Sequence, residues 1–172
     1  MSNRTLPWLA ALGIVGFGAA GSQAMAADYT TIVLSTTVAR PASEVWKDVG
    51  GFCDIGAFMK MKCTYSSGSG GLGTVRTLGG RINEVMVGQT PHSYTYTQQP
   101  VLKDMYHATV DVEPAGPGQS KIFYRIVYDQ SNLLPGQTKE KYHDQHVRMF
   151  TRALAMMKKT AEGASSGDSD AQ

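Results

Sequence analysis

The stretch GTVRTLGGRINEVMVGQTPHSYTYTQQ, residues 73–99, decides the fold. Apolar and polar residues alternate through GTVRTL, INEVMVG and SYTYTQQ, the period-two pattern of strands with one buried face. Gly79-Gly80 and Thr90-Pro91-His92 separate them with residues that turn cheaply. Short turns of this kind make neighbouring strands antiparallel. The same signal extends in both directions. CTYSSG at 63–68 precedes the stretch, and YHATVDVEP at 106–114 and KIFYRIVYDQ at 121–130 follow it. SGSGGLG, PVLKDM and AGPGQS punctuate them, so six consecutive antiparallel strands are expected.

Upstream, TTIVLSTTVAR at 30–40 is rich in β-branched residues and supplies a seventh strand. Pro41-Ala42-Ser43-Glu44 starts a short helix whose apolar side is Val45, Trp46 and Val49, and Gly50-Gly51 stops it. A second short helix is expected over 54–59. Downstream, residues 138–161 carry Val147, Phe150, Leu154 and Met157 at spacings of three and four, the stripe of a long amphipathic helix. The layout is α+β: a curved seven-stranded antiparallel sheet wrapped around a long C-terminal helix, with two short helices after the first strand. A sheet gripping a helix leaves a cavity between them, and function is to be sought there.

The chain has 172 residues and a formal charge of +2, with basic residues scattered rather than massed on one face, which gives nucleic-acid binding no electrostatic support. Residues 1–26 read as a secretory signal peptide: Arg4, then an apolar run from Leu6 to Ala20, then Ala24-Met25-Ala26, with cleavage after Ala26. The run is too short and interrupted for a membrane anchor, which needs about 20 apolar residues. No stable membrane insertion is therefore expected after cleavage, and the protein is expected in the periplasm or secreted. Residues 163–172 are small and polar, the composition of a disordered tail. A single domain over 27–162 remains.

These residues resemble the START, polyketide-cyclase and birch-pollen-allergen superfamily, SRPBCC, with its helix-grip fold. The pieces that carry the resemblance are Val38 to Trp46, Phe52-Cys53-Asp54-Ile55, the hairpin from Arg76 to Glu84, Ser93-Tyr94-Thr95-Tyr96, the segment 100–112 and the aromatic strand around Tyr124. The similar proteins are secreted bacterial members labelled polyketide cyclase or dehydratase. They usually carry Trp-His-Pro between the two cysteine positions, where this chain reads Ala57-Phe58-Met59-Lys60. Phe58 replaces the aromatic residue, but no histidine stands there, and chemistry attributed to that histidine does not transfer.

The two cysteines, Cys53 and Cys63, lack the second pair of ligands that a structural zinc site needs. In an oxidising compartment they are expected to pair, a free reactive thiol being the alternative. Arg76 and Glu84 flank Gly79-Gly80. A three-residue turn, 79–81, sets them opposite one another, whereas a two-residue turn pairs Val75 with Glu84. Two readings stay open: a surface ion pair of little energetic value, or a buried carboxylate on the cavity wall that acts as a base or holds a ligand hydroxyl.

Tyr94 and Tyr96 share one face of a strand, as do Tyr124 and Tyr128. If these faces are concave, the phenols line the cavity together with Tyr65 or Tyr106, a wall suited to a flat aromatic ligand bearing hydroxyls. Tyrosine is also simply a good strand former. His107 is expected on the outer face. His143 and His146 lie one turn apart on the long helix and are candidates for acid-base work, or else solvated helix residues. No third ligand completes a metal site with them, so neither metal nor cofactor is expected.

Two functions compete. One is cofactor-independent acid-base chemistry on a small phenolic or polyketide-like aromatic (lyase, decarboxylase, deformylase or cyclase), with Tyr96, Glu84, His143 and Lys60 as the catalytic candidates. Phe58, Tyr65, Arg76, Tyr94 and Tyr106 would bind the ligand, joined by Tyr124, Tyr128, His146 and Phe150. The other is a carrier that shelters a lipid, sterol or other hydrophobic molecule unchanged.

Overall fold

The computed structural model describes residues 27–99, 105–131, 133 and 135–163. The signal peptide expected over 1–26 lies outside them, as does the tail expected over 163–172 apart from Gly163, the last residue of the final helix.

Strand β1 (Tyr29–Val38) is followed by helices α1 (Ala42–Val49) and α2 (Ile55–Phe58). Six strands come next: β2 (Cys63–Ser67), β3 (Val75–Leu78), β4 (Ile82–Thr90), β5 (Ser93–Gln99), β6 (Tyr106–Gly116) and β7 (Gln119–Asp129). Helix α3 (Lys139–Gly163) closes the chain. All seven strands form one antiparallel sheet in the order β1-β7-β6-β5-β4-β3-β2, a meander whose last strand is capped by the first.

Helix α1 begins where the fixed φ of Pro41 directs the chain, and the Pro41 carbonyl accepts from the amides of Glu44 and Val45 at 3.1 Å. It ends at Gly50, where a side chain would run into the Trp46 ring, 2.4 Å from the position of a Cβ. Val45 and Val49 face inward and are fully buried. Helix α2 is a single turn with an unusual stop. The amide of Met61 donates back to the Gly56 carbonyl at 2.7 Å and that of Lys60 to Ala57 at 3.2 Å, a left-handed cap that most proteins assign to glycine. Lys60 fills it at φ 54°, the one non-glycine residue with positive φ among the described residues.

The turn between β3 and β4 takes three residues. Leu78 pairs with Ile82 and Arg76 with Glu84, while Gly79 and Gly80 adopt φ of 57° and 73°, open to glycine at no steric cost. Inward residues of the strands build the core with α1 and α3: Ile32, Met86, Ala108, Val110, Ile122 and Ile126 are all buried. On α3 the buried stripe is His146, Phe150, Ala153, Leu154, Met157 and Ala161. Val147 is only half-buried against this core, and His146 takes its expected place in the stripe. Among the described residues, no helix is long and apolar enough to cross a membrane.

Candidate ligand-binding site

Cys53 and Cys63 are joined in a disulfide with Cα atoms 5.6 Å apart, inside the reach of such a bond. The bridge ties the entry of α2 to the first residue of β2 and holds Phe52 over the concave sheet. There the Phe52 carbonyl accepts a hydrogen bond from Arg76, and its ring lies 4.0 Å under the guanidinium carbon.

That contact settles how Arg76 and Glu84 are read. Arg76 is wholly buried and Glu84 is 3 % exposed. The guanidinium donates from Nε to Glu84 Oε2 at 2.7 Å, and Nη2 approaches the same oxygen at 2.7 Å. Gln98 donates to the other carboxylate oxygen at 3.3 Å. Burial raises the Glu84 carboxyl above the ordinary carboxylate value, with Arg76 opposing the shift. Burial also works against the Arg76 charge, but the Glu84 carboxylate in contact with it opposes that and the guanidinium stays protonated. The pair is an interior one, since a strand pair covered by Phe52 and flanked by aromatic rings has no water to share.

Beside it lie the phenols. The Arg76 guanidinium carbon sits 4.5 Å from the centre of the Tyr96 ring and 5.8 Å from that of Tyr94. Tyr96 and Tyr124 share a hydrogen bond of 2.6 Å between their hydroxyls, and the Tyr96 and Tyr106 rings lie 6.3 Å apart. All four tyrosines are buried, and burial pushes each phenol above its ordinary value. They are therefore neutral donors, suited to hold an oxygen rather than to abstract a proton.

A second cluster joins this one through Tyr106. The His146 ring stacks on Tyr128 at 5.2 Å and lies 4.3 Å from Tyr142 and 6.1 Å from Tyr106, with Phe150 at 6.2 Å. Its Nδ1 is 2.9 Å from the Tyr142 carbonyl. A carbonyl only accepts, so Nδ1 carries the hydrogen and Nε2 keeps the lone pair. Burial lowers the His146 pKa, which leaves the ring neutral at pH 7. His143 stands apart, its side chain 41 % exposed and 3.5 Å from Asp144. Tyr65 is opposite Arg76 on edge strand β2, stacked on Phe52 at 6.5 Å and 41 % exposed.

The open space lies elsewhere. A groove of about 700 Å³ runs between the α2 corner and α3. Phe58, Met59, Lys60 and Met61 form one wall, and Gln145, Arg148, Met149, Arg152, Ala155 and Met156 form the other. Of the residues singled out from sequence, only Phe58 and Lys60 line it, and none of the buried tyrosines does. The α3 residues at 145, 148, 149, 152 and 156 follow helical spacing next to the core stripe, the one signal in the sequence that points to this wall. Among the described residues, no group of three histidine, cysteine or acidic side chains is placed to hold a metal ion.

A curved antiparallel sheet, two short helices after its first strand and a long helix laid across it define a helix-grip protein of the SRPBCC superfamily. The chain belongs to the polyketide cyclase / dehydrase and lipid transport family, whose model matches residues 29–162. Similar solved structures include a protein from Nitrosospira multiformis, 15% identical with a TM-score of 0.60 over 79% of this chain and 99% of that one. A protein from Thermobifida fusca is 20% identical, with a TM-score of 0.59 over 77% and 95%. Ara h 8.0201 is 18% identical, with a TM-score of 0.54 over 76% and 98%. At these identities the likeness is one of fold. No curated protein matches the chain.

Proposed function

We propose that the protein binds a small, largely apolar molecule in the groove between the α2 corner and α3. The observation that carries this reading is the groove itself. Its volume of about 700 Å³ suits a ligand of small-molecule size, and Phe58 and four methionines give it an adaptable apolar lining. The lipid transport in the family's description is consistent with such a ligand. The disulfide suits an oxidising compartment, so the working site of the protein is the periplasm or the exterior, with residues 27–162 as the domain left after cleavage at Ala26.

Binding without chemistry is the leading reading, because the groove brings together no acid and base. Cofactor-independent acid-base chemistry on a phenolic aromatic is the second, favoured by the interior network: Tyr106, Tyr96 and Tyr124 as donors, Glu84 and neutral His146 as bases. For that network to act, the α2 corner must yield so that a ligand passes Phe58.

Calorimetric titration with dodecanol and with 1-naphthol, alongside ultraviolet spectra, tests both. Micromolar binding with an unchanged naphthol spectrum is the expected result. Ala155→Trp fills the groove from an exposed helix position and should abolish binding without lowering the melting temperature. Unaltered affinity in that variant would remove the groove from the proposal. Spectral turnover of 1-naphthol or related phenols that is lost in Tyr96→Phe would instead establish the second reading.

A further inference from the structure

We infer that the groove selects an amphipathic anion: a molecule with an apolar body and one carboxylate, which Lys60, Arg148 and Arg152 hold at the rim. The inference rests on the groove being a binding site and adds the charge of its occupant. Three cations line the groove and no carboxylate does. Of the other described cations, Arg40 pairs with Glu44 and Asp48, Arg76 with Glu84, Arg125 with Asp111 and Glu113, Lys139 with Asp28, and Lys158 with Glu162, while Lys47, Lys62, Arg81, Lys121, Lys141 and Lys159 stand singly and apart from the groove. Among the described residues, no ion pair engages Lys60, Arg148 or Arg152. Among the described residues, the three cations on this apolar groove therefore have no paired carboxylate.

Two further features point the same way. Arg148 and Arg152 are four residues apart on α3, so their like charges face each other and repel until an anion lies between them. Lys60 occupies the left-handed cap of α2, where a side chain is sterically disfavoured and glycine fits freely. A lysine there places an ammonium group at the groove wall at the expense of local stability. The methionines at 59, 61, 149 and 156 then offer the apolar body a lining that reshapes around it. The carboxylate end sits among charge-assisted donors, and the tail runs towards Phe58.

The test compares three probes of one chain length below their micellar concentrations: dodecanoate, dodecanol and dodecyltrimethylammonium, titrated calorimetrically into the oxidised protein. Dodecanoate should bind about ten-fold or more tightly than dodecanol, with the ammonium weakest, as charge-assisted hydrogen bonds imply. Two variants follow. Lys60→Gly relieves the backbone while removing the charge, and the double variant Arg148→Gln, Arg152→Gln changes only exposed side chains. Each should cut the preference for dodecanoate over dodecanol several-fold. Equal affinity for all three probes, or a preference that survives both variants, overturns anion selection and leaves groove binding intact. If none of the probes binds, groove binding itself fails and the inference falls with it.

Discussion

Breaking the interior ion pair from its two ends should give different pH profiles. Arg76 is wholly buried between Phe52 and Tyr96, and Glu84 answers it through one oxygen at 2.7 Å. Removing either partner strands the other, at a cost of about 3 to 5 kcal/mol at pH 7. In Glu84→Gln the stranded group is a guanidinium, which cannot lose its proton, so this site gives the variant's own stability no pH dependence. In Arg76→Met the stranded group is a carboxyl that burial already raises, and without Arg76 nothing opposes that shift. A carboxyl whose folded pKa lies above its unfolded value of about 4.3 costs nothing below that value, and its penalty grows as pH rises towards the folded pKa. Arg76→Met should therefore gain stability from this site as pH falls towards about 4, while Glu84→Gln should show no such gain. Urea unfolding of the parent and both variants at several pH values between about 4 and 8 reads this directly. Parallel profiles, or costs below about 1 kcal/mol in both variants, would show that water reaches the pair and would refute its burial under Phe52.

Two other expectations follow from the same geometry. His146 is held below its ordinary pKa by burial, so the unfolded chain takes up a proton first as pH falls through about 6.5, and stability should decline from there downward. In His146→Phe that part of the decline should vanish, while His143→Gln should leave it in place; chemical unfolding at pH values from about 8 to about 5 checks both. Cys53→Ala with Cys63→Ala opens a loop with a sequence separation of 10, and the chain-entropy model puts the loss at about 2 to 3 kcal/mol. A matching loss in the parent on adding reductant, with two thiols titrating only after reduction, should accompany it.

The strands were legible because each buries one face. Tyr94 and Tyr96 alternate with Ser93 and Thr95, and the period survives whatever the neighbouring strands are. The three-residue turn at 79–81 was one of two registers the sequence allowed, and the structure selects it. Burial of Arg76 and Glu84 was not legible, because the cover comes from Phe52, 24 residues away and held there by a disulfide to a different element. His143 and His146 are one turn apart and equally polar in sequence. Only the packing of Tyr128 and Tyr142 decides which of them is interior. The groove was hardest to see, since its two walls, the α2 corner and one face of α3, are far apart in sequence and meet only in the fold. Phe58 and Lys60 stand out in sequence because they lie between the cysteines, whereas no such feature marks Met149 and Met156.

The pairing of β1 with β7 joins Tyr29 to Asp129 and Val38 to Ser120, the two ends of the domain. A growing chain therefore carries its first strand without a partner until nearly the last strand has been made. Contacts this distant in sequence slow folding, because a loop of some hundred residues must close before any of them forms. During that interval β1 offers its full hydrogen-bonding edge to whatever is near. The delay makes β1 the segment through which a chaperone would gain most by waiting.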